Sequence, residues 1–137
     1  MPTVQKSIRI QKKTFNEVER IARESGKEFS SVANELLDEA VKMQRCPGIV
    51  FTEGTTGRRA RIAGTGIEVW EVIATYKGII KDFKRLCHAY HWLTEQQLRA
   101  ALGYYALYSE EINNLIRKNE EVTVENFRKR HPVFSRG

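Results

Sequence analysis

The sequence predicts a mainly α-helical chain with short β segments. An N-terminal strand and two helices fill residues 1–45, a helical domain opened by a short β-hairpin fills 46–118, and a tail runs from 119 to 137. Three observations carry this. "VQKSIRI", residues 4–10, alternates with a period of two, which puts Ile8 and Ile10 on one side of an extended chain and Gln5, Ser7 and Arg9 on the other. Elsewhere apolar residues recur at three- and four-residue spacing, the mark of amphipathic helices. Between these patterns lies a break, "RCPGIVFTEGTTG", whose Pro47, glycines and threonines do not continue a helix.

The elements follow in order. In "KTFNEVERIARESG", Phe15, Val18, Ile21 and Ala22 share a helical face, and Gly26 terminates it. "FSSVANELLDEAVKMQ" repeats the pattern through Phe29, Val32, Ala33, Leu36, Leu37 and Ala40, with Ser30 or Ser31 as N-cap. "GIVF" and "RRARIAG", joined by "TEGTTG", read as two short strands of a hairpin. "GTG" at 64–66 lacks the rest of a phosphate-binding loop and reads as a turn. Helices are then expected around Val69, Val72, Ile73 and Tyr76, and around Phe83, Leu86, Cys87 and Tyr90. A further helix carries Leu98, Ala101, Leu102 and Tyr105 behind a capping box of Thr94 and Gln97. "SEEINNLIRKN" starts a last helix at Ser109, and the tail beyond it is polar and poorly periodic.

Composition narrows the function. The 137 residues hold 23 basic and 17 acidic side chains, a net charge of +6 that leans moderately toward an anionic partner. The cysteines, Cys46 and Cys87, are far apart and suggest reduced thiols rather than a disulfide framework. No 18-residue stretch is free of charge and the N-terminus lacks the apolar region of a signal peptide, so a cytoplasmic protein is expected. Catalysis is not expected, because no nucleophile has a spaced base and no nucleotide loop is present. No cofactor is implied. Cys87 and His91, four apart, fall short of the four ligands of a structural metal site, so no metal is expected. Tyr104, Tyr105 and Tyr108 fit a core and its rim better than base stacking.

The first strand needs another chain. Alone it leaves its backbone donors and acceptors unpaired, and two small helices cannot bury enough surface to stay folded. Two copies paired antiparallel would turn Ile8 and Ile10 onto four helices and present Gln5, Ser7 and Arg9 from each chain on the other face. Such a two-stranded ribbon fits the major groove of double-stranded DNA, where Arg reads guanine and Gln reads adenine. Lys6, Lys12, Lys13 and Lys27 supply positive charge, and the start of the second helix offers N–H groups to a phosphate. A solvated edge strand is the plainer alternative.

"SIRIQKKTFNEVERIARESGKEFSSVANELLDEAVKM" resembles the ribbon-helix-helix family, the Arc, MetJ and CopG repressor type. The resemblance implies that Gln5, Ser7 and Arg9 read bases in a homodimer and that Ser30 and Ser31 clamp a phosphate. Lys6 departs from it, standing where that family usually has an apolar strand residue.

In the second domain "DFKRLCHAY", "HWL" and "TEQQLRAALGYY" give helix, turn and capped helix, the order of a helix-turn-helix, with Glu95, Gln96 and Arg99 in the first turns of its second helix. Glu95 beside a phosphate backbone is unfavourable, which makes this a weaker DNA reader than the ribbon. Arg58, Arg59 and Arg61 sit in the hairpin, with Arg59 and Arg61 on one face. They are candidates for an anion or partner contact, or equally for a solvated strand with one buried structural arginine. "PGIVF", "GRRARIAGTGIEVWEV" and "QLRAALGYYALYSEEI" resemble the module known as domain-of-unknown-function family 433 over about residues 47–118. That resemblance implies a helix-turn-helix-like, antitoxin-like protein, often encoded beside a nuclease-like toxin of PIN-type fold.

The tail carries apolar anchors at Val122, Val124, Phe127, Val133 and Phe134 and a basic cluster, Arg128, Lys129 and Arg130, suited to a partner or to phosphate. The residues point to a homodimer that reads DNA, and the resemblance implies that it is an antitoxin-like autorepressor of a toxin-antitoxin pair. Its rival is an interaction protein whose N-terminal domain only dimerises while the second domain binds a toxin or another partner.

Overall fold

The computed structural model describes residues 2–53 and 57–130, apart from the Arg130 side chain; the tip of the expected "TEGTTG" loop and the tail positions Val133 and Phe134 lie outside them. Six helices and one two-stranded antiparallel sheet make up the described residues. The helices are α1 (Lys12–Ser25), α2 (Phe29–Arg45), α3 (Val69–Gly78), α4 (Phe83–Ala89), α5 (Glu95–Leu107) and α6 (Ser109–Arg130), and the strands are β1 (Ile49–Thr52) and β2 (Arg59–Ile62). The chain divides into two compact units, Met1–Lys42 and Met43–Gly137.

In the first unit, residues 2–11 form neither helix nor paired strand in the single chain. A ladder needs a second strand, and the unit has none to offer. α1 ends where the sequence places its terminator: Gly26 adopts φ +67°, a conformation glycine enters without a Cβ clash, and its N–H reaches the carbonyls of Ala22 and Arg23. Ala22 and Val32 are buried, and the Phe15 and Phe29 rings pack 5.1 Å apart. α2 starts earlier than the serines suggest. Phe29 already belongs to the helix, so Ser30 and Ser31 lie inside its first turn rather than at its cap.

The second unit holds the larger core. Ile49, Ile62, Val69, Val72, Ile73, Leu86, Leu98, Ala101, Tyr104 and Ile112 are buried together. The expected hairpin is present, in the register Ile49↔Ile62, Val50↔Arg61, Phe51↔Ala60 and Thr52↔Arg59. Gly48 leads into β1 at φ +92°, and a Cβ there would stand 3.2 Å from Ala100 of α5, so both backbone and packing demand glycine. Thr65 closes the turn after β2, its hydroxyl donating to Ile62 O and accepting from Ile67 N–H. α3 packs on α5 and α6, and α5 also packs on both strands. The capping box of Thr94 and Gln97 forms as the spacing predicts, with bonds of 3.1 and 2.8 Å.

Three details depart from the expected pattern. α4 ends at Ala89, so His91 is not on the same helix as Cys87; its ring packs edge-on against Trp92. On α5 the fully buried ring is Tyr104, whose position faces the core more squarely than Leu102 or Tyr105. The tail through Arg130 is helix rather than irregular chain, since no glycine or proline lies between Tyr104 and His131 and the stretch is rich in Glu, Lys and Arg. α3 and α4 are joined through Ile80 and Lys81, both left-handed at φ +58° and +54°.

No helix among the described residues is long and apolar enough to cross a membrane.

Candidate functional site

The residues expected to read DNA lie on the N-terminal segment, where Gln5, Ser7 and Arg9 are all exposed. Ile8 and Ile10 alternate with them, yet remain 66% and 40% exposed. Ile8, Ile10, Val18, Phe29, Ala33, Leu36 and Leu37 line a groove of about 400 Å³, and Arg9, Gln11 and Thr14 line it with them. Every residue from 2 to 11 is exposed, so the isoleucines of this segment are left only partly covered.

Around this segment the expected phosphate contacts are unequal. Lys6, Lys12 and Lys13 are exposed, the last two in the first turn of α1. Lys27 is held by Glu35 at 2.9 Å, an exposed ion pair of the kind that salt loosens. Ser30 and Ser31 belong to the first turn of α2, whose N–H groups have no helical carbonyl to bond.

The hairpin arginines serve the hairpin itself. Arg61 is 7% exposed, and its guanidinium donates to the carbonyls of Thr52, Arg59 and Gly57 at 2.5, 3.3 and 3.4 Å. Arg59 pairs with Glu68 at 3.4 Å, and Arg58 donates to Phe51 O at 3.1 Å. A buried guanidinium bonded to backbone carbonyls on both strands gathers the hairpin around one fixed charge. The second helix of the expected helix-turn-helix has a similar economy: Arg99 pairs with Glu95 at 2.8 Å and lies over the Phe83 ring at 4.5 Å. Gln96 is exposed. Arg128 and Lys129 are exposed on α6, and the backbone of Arg130 ends that helix.

One polar cluster escapes the sequence. Tyr104 donates to Glu111 at 2.7 Å, while the Tyr105 hydroxyl and Lys77 Nζ both donate to Asn113 Oδ1 at 2.9 Å. Lys77 also lies 5.0 Å from the Tyr105 ring centre. Its hydrogen bond and charge hold the Tyr105 phenol below the usual tyrosine range. These partners sit on three different helices, so no spacing within one helix reveals them. Burial raises the Cys46 thiol, which makes it a core residue rather than a reactive one. Among the described residues no cluster of His, Cys, Asp and Glu could hold a metal ion.

Residues 49–105 match the family model described as a protein of unknown function (DUF433). A DUF433 member protein from Anabaena variabilis ATCC 29413, with a crystal structure at 2.00 Å resolution, shares 33% sequence identity over 79% of this chain and 99% of that one, with a TM-score of 0.45. The chain belongs to the DUF433 family. No curated protein matches it. The DUF433 match takes in the hairpin, α3, α4 and most of α5, and therefore Arg58, Arg59 and Arg61. The first unit and α6 lie outside it.

Within the DUF433 segment Arg61→Met is expected to lower stability by about 1.5–3 kcal/mol, because carbonyls of the hairpin lose a charged donor. A urea midpoint equal to that of the parent protein would show that water replaces the guanidinium without loss.

Proposed function

We propose that this DUF433 protein is a homodimeric, sequence-specific DNA-binding transcriptional regulator, acting as an antitoxin-like autorepressor. The observation that supports the proposal is the alternation of exposed Gln5, Ser7 and Arg9 with Ile8 and Ile10, the isoleucines lining, together with Arg9, a largely apolar groove that a single chain leaves open. A second copy with its own residues 4–10 paired antiparallel would close that groove and supply the missing ladder. The polar rows would then stand side by side in a ribbon of the width the major groove accepts.

In that role Gln5, Ser7 and Arg9 contact base edges. Lys6, Lys12 and Lys13 neutralise phosphates, joined by Lys27 once DNA competes for it with Glu35, and the first turn of α2 at Ser30 and Ser31 takes a phosphate oxygen. The toxin-antitoxin setting rests on the resemblance of residues 47–118 to antitoxin-like proteins, with a nuclease-like toxin of PIN-type fold as the partner of the second unit. Arg58, Arg128 and Lys129, which reach the surface, are the basic residues such a partner would meet.

The test is binding of the purified protein to a fragment of its own promoter and to random DNA at two salt concentrations. Promoter preference that survives the higher salt is the expected result. Equal weak binding, lost with salt, would reduce the interaction to counterion release and overturn base readout.

A further inference from the structure

Lys77, in the last turn of α3, and Lys81, the next basic residue of the chain, are both exposed. Among the described residues no carboxylate pairs with either. Lys77 Nζ donates instead to Asn113 Oδ1 of α6 at 2.9 Å, and the Tyr105 hydroxyl of α5 donates to the same oxygen. With both donors on its oxygen, Asn113 keeps its amide nitrogen as a donor, and no described residue accepts from it. Lys81 is held beside this cluster. Its backbone, left-handed at φ +54°, bonds back through its N–H to Tyr76 O of α3 at 2.9 Å. The charge of Lys81 adds to the hydrogen bond and charge of Lys77 that hold the Tyr105 phenol below the usual tyrosine range. The phenol thus reports a local positive potential that no paired carboxylate cancels.

We propose that Lys77, Lys81 and the Asn113 amide bind a phosphate group beside Tyr105. A phosphate presents enough oxygens to accept from all three side chains, where a carboxylate presents only two. Ammonium groups suit it as compact charges, and two of them match a dianion. The donors come from α3, the α3–α4 connection and α6, elements of one unit joined by one core, so the site needs little rearrangement to receive its ligand. It shares no residue with the N-terminal readers and stands whether or not that segment binds DNA. The phosphate belongs to a DNA backbone or to a small free phosphate, two sources that the experiment separates.

The test is a titration of the full chain with inorganic phosphate at fixed pH and ionic strength, followed by NMR at the Asn113 side-chain amide. Saturable shifts are expected, with acetate binding about fivefold more weakly. The Lys81 side chain makes no hydrogen bond among the described residues, so Lys81→Gln leaves the fold in place. It is expected to weaken phosphate binding about fivefold, the worth of one nearby charge in water. Shifts that are linear, or the same in acetate, or unchanged in Lys81→Gln, would overturn the proposal. Random duplex DNA then identifies the source. If Lys81→Gln lowers the salt slope of duplex binding by about one, the backbone supplies the phosphate. If duplex binding is unchanged while inorganic phosphate binding falls, a small phosphate supplies it.

Discussion

Leu98→Ala is expected to be among the most damaging single truncations in the chain, lowering stability by about 2–5 kcal/mol. Leu98 is fully buried on α5, which packs on α3, α6 and both strands, so the cavity left by the missing atoms opens where several elements meet. Interiors packed as densely as organic crystals collapse only partly around such a void, and the lost contacts add to the lost transfer free energy. Urea denaturation followed by circular dichroism checks this. The midpoint of the second unit's transition should fall while its slope stays unchanged. A shift under about 0.5 kcal/mol, the ordinary range for surface positions, would mean that α5 is not docked as described.

Arg9→Ala is expected to weaken binding to the operator by about 1–3 kcal/mol, or roughly 5- to 150-fold, while leaving the dimer intact. Arg9 is exposed, and although it lines the groove beside Ile8 and Ile10, those two residues supply the apolar surface there, so truncation is expected to remove the reader and spare the dimer. Replacement of Lys12 by Ala should instead weaken binding to every sequence alike and lessen its salt dependence. Fluorescence anisotropy with operator and scrambled duplexes separates the two behaviours. Operator affinity unchanged in the Arg9 variant would discard the ribbon assignment and favour the rival, in which the N-terminal unit only joins two chains.

Where one residue type repeats at one spacing, the sequence is a sound guide. Val69, Val72 and Ile73 form a stripe in the sequence and are all fully buried, and Thr94 with Gln97 announces a cap that forms. The hairpin is legible for the same reason, being bounded by glycine and proline and rich in β-branched residues. Arg61 is harder. Alternation puts Arg59 and Arg61 on one face, but only the backbone carbonyls of Thr52, Gly57 and Arg59 decide that one guanidinium is buried, and no side-chain pattern encodes them. The tail misleads in the opposite sense. Val122, Val124 and Phe127 do not repeat at three or four residues throughout, so they make no amphipathic stripe, and its helicity rests on intrinsic propensity and on continuity with the docked start of α6.

Residue type and alternation single out Gln5, Ser7 and Arg9, but every residue from 2 to 11 is exposed, so exposure does not set these three apart. In the proposed dimer the site is completed by a second chain, whose strand-to-strand hydrogen bonds would have no counterpart in the side-chain pattern of either copy.

Ile80 and Lys81 make the α3–α4 connection a strained hinge between two well-packed helices. A β-branched side chain held at φ +58° and 85% exposed is neither comfortable in its backbone nor useful to a core. Glycine or asparagine would occupy that position more easily, so the α3–α4 connection holds stability that a single substitution can recover. The packing of the rest of the second unit has to offset that strain, and Ile80→Gly is expected to relieve it without disturbing the helices on either side.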